Sequence, residues 1–316
     1  MKFYYAPLEG VTGYIYRNAY HKYFTPLDKY FAPFIVANQQ DKFKTRDLQD
    51  ILPENNKGLT LIPQILSNQA KDFIHTSKRI KEFGYHEINL NLGCPSGTVV
   101  AKNKGSGFLA KPKELDEFLE EIYSANITEL SIKTRLGKDE AEEFYTLIEI
   151  FNKYPIKELI IHPRIQKDYY KNTPRWEIFK DAITLSKNPL CYNGDINSVQ
   201  DYKELLSQFP SIDKIMIGRG LIKNPGLISE IYGSNRVEKD LLRDFHNEIY
   251  EGYKKVISGD KNVLFKMKEM WIFMGTLFEE NEKCLKKIKK AERLYDYEEA
   301  MESIFEKTLL SQEKPL

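Results

Sequence analysis

Short apolar runs, each closed by a cluster of polar and turn-forming residues, repeat along the amino-terminal two thirds of the chain. Eight such runs predict strands over 3–8, 29–36, 59–66, 87–94, 129–135, 158–164, 189–195 and 213–218. Segments with helical spacing lie between most of them, at 69–83, 113–123, 141–151, 176–185 and 199–209. Several open behind a capping or helix-starting residue: Asn68, Pro112, Pro174 and Ser198. Strands that alternate with helices and read as nearly continuous apolar runs are parallel strands covered on both faces. Eight of them predict an α/β fold, a (β/α)8 TIM barrel, for which about 250 residues is typical. The competitor is an open doubly wound sheet, which gathers its ligand residues at one switch point and opens with a G-x-G-x-x-G turn. That turn is missing after the first strand, and nearly every strand ends in candidate chemistry. Further on, the period becomes helical. Leu264, Met267, Met270, Trp271, Met274, Leu277 and Phe278 recur at three and four residues, the stripe of a helix packed into a core. Gly233, Ser234 and Asn235 read as a linker. The expected division is a catalytic barrel over 1–234 and a small helical domain over 235–316.

In a barrel all strand carboxyl ends open onto one face, where the active site lies. Read in order, those ends carry Pro7 and Glu9, Gln64, Asn91 and Cys94, Lys133 and Arg135, His162 and Arg164, Asn193 and Asp195, and Gly218 and Arg219. Any one of them alone reads as a polar residue finishing a strand. Together they bring a thiol, a lysine, a histidine, amides and arginines to one mouth. Gly93, Pro95 and Gly97 break the chain around Cys94 and set it at the strand's end, as either a small buried hydrophobe or a reactive thiol. Two glycine turns, Asn193-Gly194-Asp195-Ile196 and Gly218-Arg219-Gly220, follow the seventh and eighth strands, where this architecture cradles phosphate. A phosphorylated cofactor across the mouth would have its head near Gln64, Cys94 and Lys133, and flavin mononucleotide (FMN) suits that geometry.

Charge narrows the choice of partner only locally. The formal net charge is +1, without the bulk basicity of a typical nucleic-acid binder. One run is concentrated, Lys283, Lys286, Lys287, Lys289, Lys290 and Arg293, followed by acidic residues from Asp296 to Glu306. It reads either as a solvated helix face or as a grip on phosphate. Lys102 and Lys104, after Cys94, are a second candidate phosphate contact. The opening MKFYYAPLEG enters the first strand at once and leaves no signal peptide, and no apolar run approaches a membrane span. Cys94, Cys191 and Cys284 are too scattered for a disulfide framework or a zinc site. The expectation is a cytoplasmic, metal-free monomer.

The motifs APLEGVTGYIYR (6–17), PQIL (63–66), NLNLGCPSGTVVAKNKGSGFL (89–109), IKTRLG (132–137), IHPR (161–164), NGDI (193–196) and IMIGRGL (215–221) resemble, in order and spacing, the dihydrouridine synthases, flavoenzymes that reduce uridine in RNA. The cysteine segment with its downstream G-S-G is the most specific of them. The resemblance implies FMN as cofactor, NADPH as electron donor and RNA as substrate, transfer RNA first with ribosomal RNA open. It implies hydride transfer from flavin to C6 of uracil and protonation of C5 by Cys94. A general acid holds its proton at working pH, as an ordinary thiol with a pKa of about 8.5 does, so this cysteine is not expected to be a strongly acidified thiolate. By family position Lys133 approaches the flavin's N1 and O2 edge, and the backbone of Ala6, Pro7 and Leu8 with the Gln64 amide holds the ring. His162, Asn193, Gly194, Asp195, Gly218 and Arg219 complete the ribityl and phosphate contacts. Asn91 binds the uracil edge, and Arg135 and Arg164 either contact RNA or order the site. The region from about residue 235 resembles the family's helical RNA-binding domain. Leu8 stands where the family has methionine, Gly13 where it has aspartate, and YFAPFIVANQQ lacks the frequent glutamate-methionine pair. Target-site specificity therefore does not transfer. Two other readings stand: a flavin dehydrogenase of a small pyrimidine, and a non-catalytic RNA-binding protein.

Overall fold

The computed structural model describes residues 1–310, and the chain forms two compact units. The first comprises 1–7, 28–194 and 209–216; the second comprises 8–27, 195–208 and the chain from 217 onward. A parallel sheet organises the first unit. Its strands are β1 (Lys2–Tyr5), β2 (Lys29–Phe31), β3 (Ile35–Val36), β4 (Leu61–Ile62), β5 (Gln64–Leu66), β6 (Glu87–Leu92), β7 (Glu129–Gly137), β8 (Leu159–Ile165), β9 (Leu190–Asn193) and β10 (Lys214–Ile217). They lie in the order β3-β5-β6-β7-β8-β9-β10-β1-β2-β4. The two ends of that order are the same two stretches of chain, because β2 and β3 divide 29–36 and β4 and β5 divide 61–66. Ten short strands are thus eight staves, and the sheet closes on itself as the expected barrel. Proline accounts for the divisions. Pro33 and Pro63 lack the N–H that a ladder needs, although the Pro63 carbonyl still accepts from the Asn89 amide at 2.9 Å.

Period-two alternation sorts each strand's side chains between helices and barrel interior. Along β6, Ile88, Leu90 and Leu92 are wholly buried apolar groups, and Glu87, Asn89 and Asn91 alternate with them. The interior is accordingly polar and has to satisfy itself. At the strands' amino ends the Tyr4 hydroxyl donates to Glu158 at 2.9 Å. There Lys29 lies 2.8 Å from Glu87 and 3.5 Å from Glu158. Burial is the main cause that raises the Glu158 carboxyl, partly offset by Lys29. This end of a barrel carries stability rather than chemistry.

The helices, along the chain, are α1 (Tyr14–Tyr23), α2 (Thr45–Ile51), α3 (Ala70–Glu82), α4 (Gly97–Val100), α5 (Pro112–Ser124), α6 (Glu143–Phe151), α7 (Trp176–Leu185), α8 (Val199–Gln208), α9 (Arg219–Lys223), α10 (Leu227–Ile231), α11 (Lys239–Val256), α12 (Asp260–Met274), α13 (Glu282–Lys290) and α14 (Leu294–Lys307). Those of the first unit bury one stripe each. In α5 it is Leu115, Phe118, Leu119 and Ile122, and Phe118 meets Phe73 of α3 edge-on at 5.8 Å. Proline at the first position of α5 starts the helix without losing a bond, since that N–H has no partner in any helix. Among the described residues no helix is long and apolar enough to cross a membrane.

The second unit is built around α11 and α12. Phe245 of α11 packs edge-on against Tyr16 of α1 at 5.5 Å and Phe24 at 5.0 Å, and Lys22 pairs with Glu248 at 2.6 Å. The methionine and tryptophan stripe is core, with Met267, Met270, Trp271 and Met274 buried. Within it a polar chain is fully satisfied: the Trp271 indole donates to the Tyr297 hydroxyl at 2.7 Å, that hydroxyl lies 2.6 Å from His246 Nε2, and His246 Nδ1 lies 2.9 Å from the Asn247 amide oxygen. Burial pushes His246 from 6.5 down to about 4. The unfolded chain takes a proton near pH 6.5 that the native state refuses until about pH 4. This histidine's contribution is therefore complete above the unfolded value and lost as pH falls through the folded one. Between pH 7 and 4.5 the native state should lose about 2–3 kcal/mol through this group. Urea unfolding at the two pH values, compared with the non-titrating His246→Gln variant, checks it: equal losses in both proteins would refute the assignment.

Candidate active site

Along β5, β6 and β7 the register sets Gln64 beside Asn89, Asn89 beside Ser131 and Asn91 beside Lys133. Their side chains form one directed chain. Asn89 donates to the Ser131 hydroxyl at 2.9 Å, Gln64 donates to Asn89 Oδ1 at 2.7 Å, and Asn91 donates to Gln64 Oε1 at 2.7 Å. Asn91 Oδ1 then accepts both the Gly93 amide at 3.1 Å and the Cys94 amide at 2.9 Å. A buried amide network of this kind is costly if half made and rigid when complete. Here it ends on the backbone of the half-buried cysteine. Asn91, expected at the uracil edge, is placed to cap the cysteine turn, and one of its amide hydrogens is left for other use.

The downstream G-S-G holds Cys94 from the other side. The Cys94 carbonyl accepts the Ser106 amide at 3.1 Å and the Ser106 hydroxyl at 2.8 Å. Gly105 has φ +56°, and a methyl group there would stand 2.8 Å from the Cys94 carbonyl oxygen and 3.0 Å from its Cβ. Only glycine takes that conformation and that contact without displacing the cysteine.

Lys133 is half-buried and has no hydrogen bond or ion pair among the described residues. Burial lowers its ammonium from 10.5 to about 7, and the nearby Arg135 charge adds to the effect, against small opposing contributions from Cys191 and Cys94. A cation in that state favours an anion beside it.

Arg135 and Arg164 are each 1 % exposed. Arg135 donates to the carbonyls of Gly93, Ile165 and Tyr169, and Arg164 to the carbonyl of Asn172 at 2.5 Å and to His162 Nε2 at 3.0 Å. The neutral imidazole that accepts this bond carries its hydrogen on Nδ1. Asp168 gathers the loop after β8, accepting from the Ile165 amide, Asn172 and Arg175. Burial opposes its charge, yet Arg175 and these donors hold the carboxyl below its ordinary value. Ala6 and Pro7 end at the same side of the first unit's sheet, and Asn193 donates to the Met216 carbonyl at 2.8 Å. Lys102 and Lys104 follow on the loop after α4, with the Lys102 carbonyl accepting from Asn68 at 3.1 Å.

The chain passes into the second unit between Pro7 and Leu8, between Gly194 and Asp195, and between Met216 and Ile217. There the Leu8 amide donates to Thr12 Oγ1 at 2.8 Å, making a tight turn. Arg219 donates to Asp195 at 2.6 Å. Gly220 lies so close to the Ile196 carbonyl that a methyl group would stand 1.9 Å from it, which explains the glycine in the last turn. Asn89, Ser131, Gln166 and Asp168 have no role in the sequence reading, and Gly105 and Ser106 enter it only as part of the G-S-G motif. The N-L-N alternation of β6 was the available signal for Asn89, and the G-S-G motif for the glycine and serine.

The first unit is thus a closed parallel barrel that holds a thiol, an amide network and a lysine without a partner among the described residues. Among solved structures, a morphinone reductase mutant in complex with tetrahydroNAD superimposes with a TM-score of 0.53 at 12 % identity, covering 77 % of this chain and 90 % of that one. A variant of NCR from Zymomonas mobilis gives 0.52 at 13 % identity, with the same coverages. These show the shared fold. Residues 4–314 match the family model described as dihydrouridine synthase (Dus). Curated relatives include a probable tRNA-dihydrouridine synthase of Staphylococcus epidermidis, 28 % identical over 260 residues, 79 % of this chain and 78 % of that one. A probable tRNA-dihydrouridine synthase 2 of Bacillus subtilis is 27 % identical over 258 residues, again 79 % and 78 %. The chain belongs to the dihydrouridine synthase family, and it is an oxidoreductase.

Proposed function

We propose that this protein reduces uridine to 5,6-dihydrouridine in transfer RNA, in the cytoplasm, with FMN as cofactor and NADPH as electron donor. Support comes from the family and from relatives named as tRNA-dihydrouridine synthases. The observation that carries it is Lys133, a half-buried amine with no partner among the described residues, on the strand beside a cysteine whose every neighbouring backbone group is held. That residue set fits a flavin. Within the first unit Lys133 would stand against the electron-rich edge of the ring, the Gln64 amide and the backbone of Ala6 and Pro7 against its body, and His162, Asn193 and Gly194 toward the ribityl chain. A flavin held there and reduced by NADPH would supply the hydride for uracil C6. Cys94 gives its thiol proton to C5, leaving a thiolate that solvent reprotonates. The chain's contribution is to hold that proton at one place.

A uridine in folded RNA has to leave its stack, at a cost of a few kcal/mol, and contacts elsewhere offset it. We assign chemistry to residues 1–234 and the RNA grip to 235–316. On α13, Lys283, Lys286, Lys289 and Lys290 are exposed and form no ion pair among the described residues, while Lys287 lies 3.9 Å from Glu299 and Arg293 2.7 Å from Asp296. Truncation at 235 would strip Phe245 from Tyr16 and Phe24, so charge removal is the cleaner test. Replacing those four lysines with alanine should make the slope of log affinity for transfer RNA against log salt shallower by about 3, with flavin content unchanged. An unchanged slope would mean that the run is only a solvated helix face.

Nucleoside mass spectrometry, mapped by RNA fragment, on a deletion strain with and without the gene restored tests the function itself. Loss and recovery of dihydrouridine at a transfer-RNA position is the expected result. Loss at a ribosomal position would reassign the substrate. A map unchanged even when other members of the family are also deleted would overturn the reading.

A further inference from the structure

By its type and place Arg135 reads either as a contact to RNA or as a residue that orders the site. The geometry points to a positioning residue: we infer that Arg135 clamps the turn bearing Cys94 to the loop after β8 and sets where the acid's proton is presented. This rests on the proposed reaction and names a residue that acts on it through Cys94.

The guanidinium is a planar fork with five N–H donors. Its Nε donates to the Gly93 carbonyl at 2.9 Å, Nη1 to the Ile165 carbonyl at 2.8 Å and Nη2 to the Tyr169 carbonyl at 2.8 Å. One bond therefore lands on the residue before Cys94, one on the last residue of β8 and one on the loop that follows it. At 1 % exposure and with those three bonds made, the side chain is not offered to a polyanion. The same loop makes a second, independent tie. Gln166 donates to the carbonyl of Pro95, the residue after Cys94, at 3.1 Å. The carbonyls on both sides of the cysteine thus accept from one frame, while the cysteine's own carbonyl belongs to Ser106.

That frame is itself over-determined. Tyr169 has φ +51°, a strained backbone for a residue with a side chain. Its carbonyl is the one Arg135 holds, and Asp168 beside it accepts from the Ile165 amide, Asn172 and Arg175. A strained turn persists only when its surroundings fix it. Lysine cannot substitute, because a single ammonium on a flexible stem cannot span three carbonyls in a plane.

The experiment compares Arg135→Lys and Gln166→Ala with the full-length, flavin-loaded wild type. One readout needs no RNA: the rate of Cys94 alkylation by iodoacetamide, followed by peptide mass spectrometry. The clamp predicts that both variants alkylate several-fold differently from wild type at unchanged flavin content. The other readout is steady-state dihydrouridine formation. Arg135→Lys should lower kcat about 10- to 100-fold, with KM for transfer RNA and its salt dependence within two-fold of wild type, and Gln166→Ala should shift kcat in the same direction by less. Wild-type alkylation in both variants, or a raised KM with a shallower salt slope in Arg135→Lys, would overturn the clamp and make Arg135 a phosphate contact. Wild-type protein that forms no dihydrouridine on any RNA would sink the proposed function instead, and the alkylation readout would still decide the clamp.

Discussion

Cys94→Ala should give a folded, yellow protein that makes dihydrouridine about 10²- to 10⁴-fold more slowly than wild type, the range a positioned general acid contributes. The fold survives because what holds this turn is backbone. Asn91 caps the Gly93 and Cys94 amides, and Ser106 and Arg135 hold the carbonyls of Cys94 and Gly93. Alanine keeps every one of those bonds. Removing the thiol removes the proton, and nothing else at the site is arranged to replace it at that point. Cys94→Ser should recover little, since a hydroxyl gives up its proton far less readily than a thiol. Flavin absorbance and a single-turnover assay with transfer RNA check the pair. A colourless Cys94→Ala protein that is otherwise folded, or one with wild-type turnover, would count against the assigned role.

Lys133→Met should have the second large effect, acting on the cofactor rather than on the proton. In the protein alone, burial and the neighbouring Arg135 charge bring the ammonium down to about 7. The depressed folded value has a defined sign. The unfolded chain holds this proton up to about pH 10.5, so the native state gains relative stability from this group as pH rises from 7 toward that value, and loses it as pH falls through 7. The electron-rich edge of a bound flavin would oppose this by favouring the charged form. Flavin affinity in the wild type should therefore weaken as pH rises above 7, whereas Lys133→Met should bind FMN less tightly and with a flat pH profile. Reduction by NADPH should slow by about 10²- to 10³-fold, as when one preorganised charge is removed from a developing negative centre. Fluorescence titration of FMN across pH, with stopped-flow reduction, measures both. A variant with wild-type affinity, profile and reduction rate would place Lys133 outside the flavin site.

The architecture was legible because its signal is period: each apolar run became a stave of the barrel, and the helical stripe at Met267, Met270, Trp271 and Met274 became core. The two divided staves show the limit of pattern. Pro33 and Pro63 lie inside apolar runs that read as single strands, and only the missing N–H separates β2 from β3 and β4 from β5. At the site, residue types gave the thiol and the lysine, but not which groups hold them. Asn89 looks like any polar residue in a strand. Its function appears only when register sets it between Gln64 and Ser131. Arg135 is the sharper case, since its type suggests phosphate and its surroundings are the carbonyls of residues far away in sequence, Gly93 and Tyr169 among them. Hydrogen-bond partners that distant leave no periodic trace.

The most direct measurement is reconstitution: FMN-loaded protein, NADPH and an unmodified transfer-RNA transcript under anaerobic conditions, followed by nucleoside mass spectrometry. The account predicts dihydrouridine at a defined position in stoichiometric balance with the NADPH consumed, and its loss with Cys94→Ala. NADPH consumed on free uracil or orotate, with every RNA left unmodified, would contradict it and make this a small-pyrimidine dehydrogenase in the same barrel.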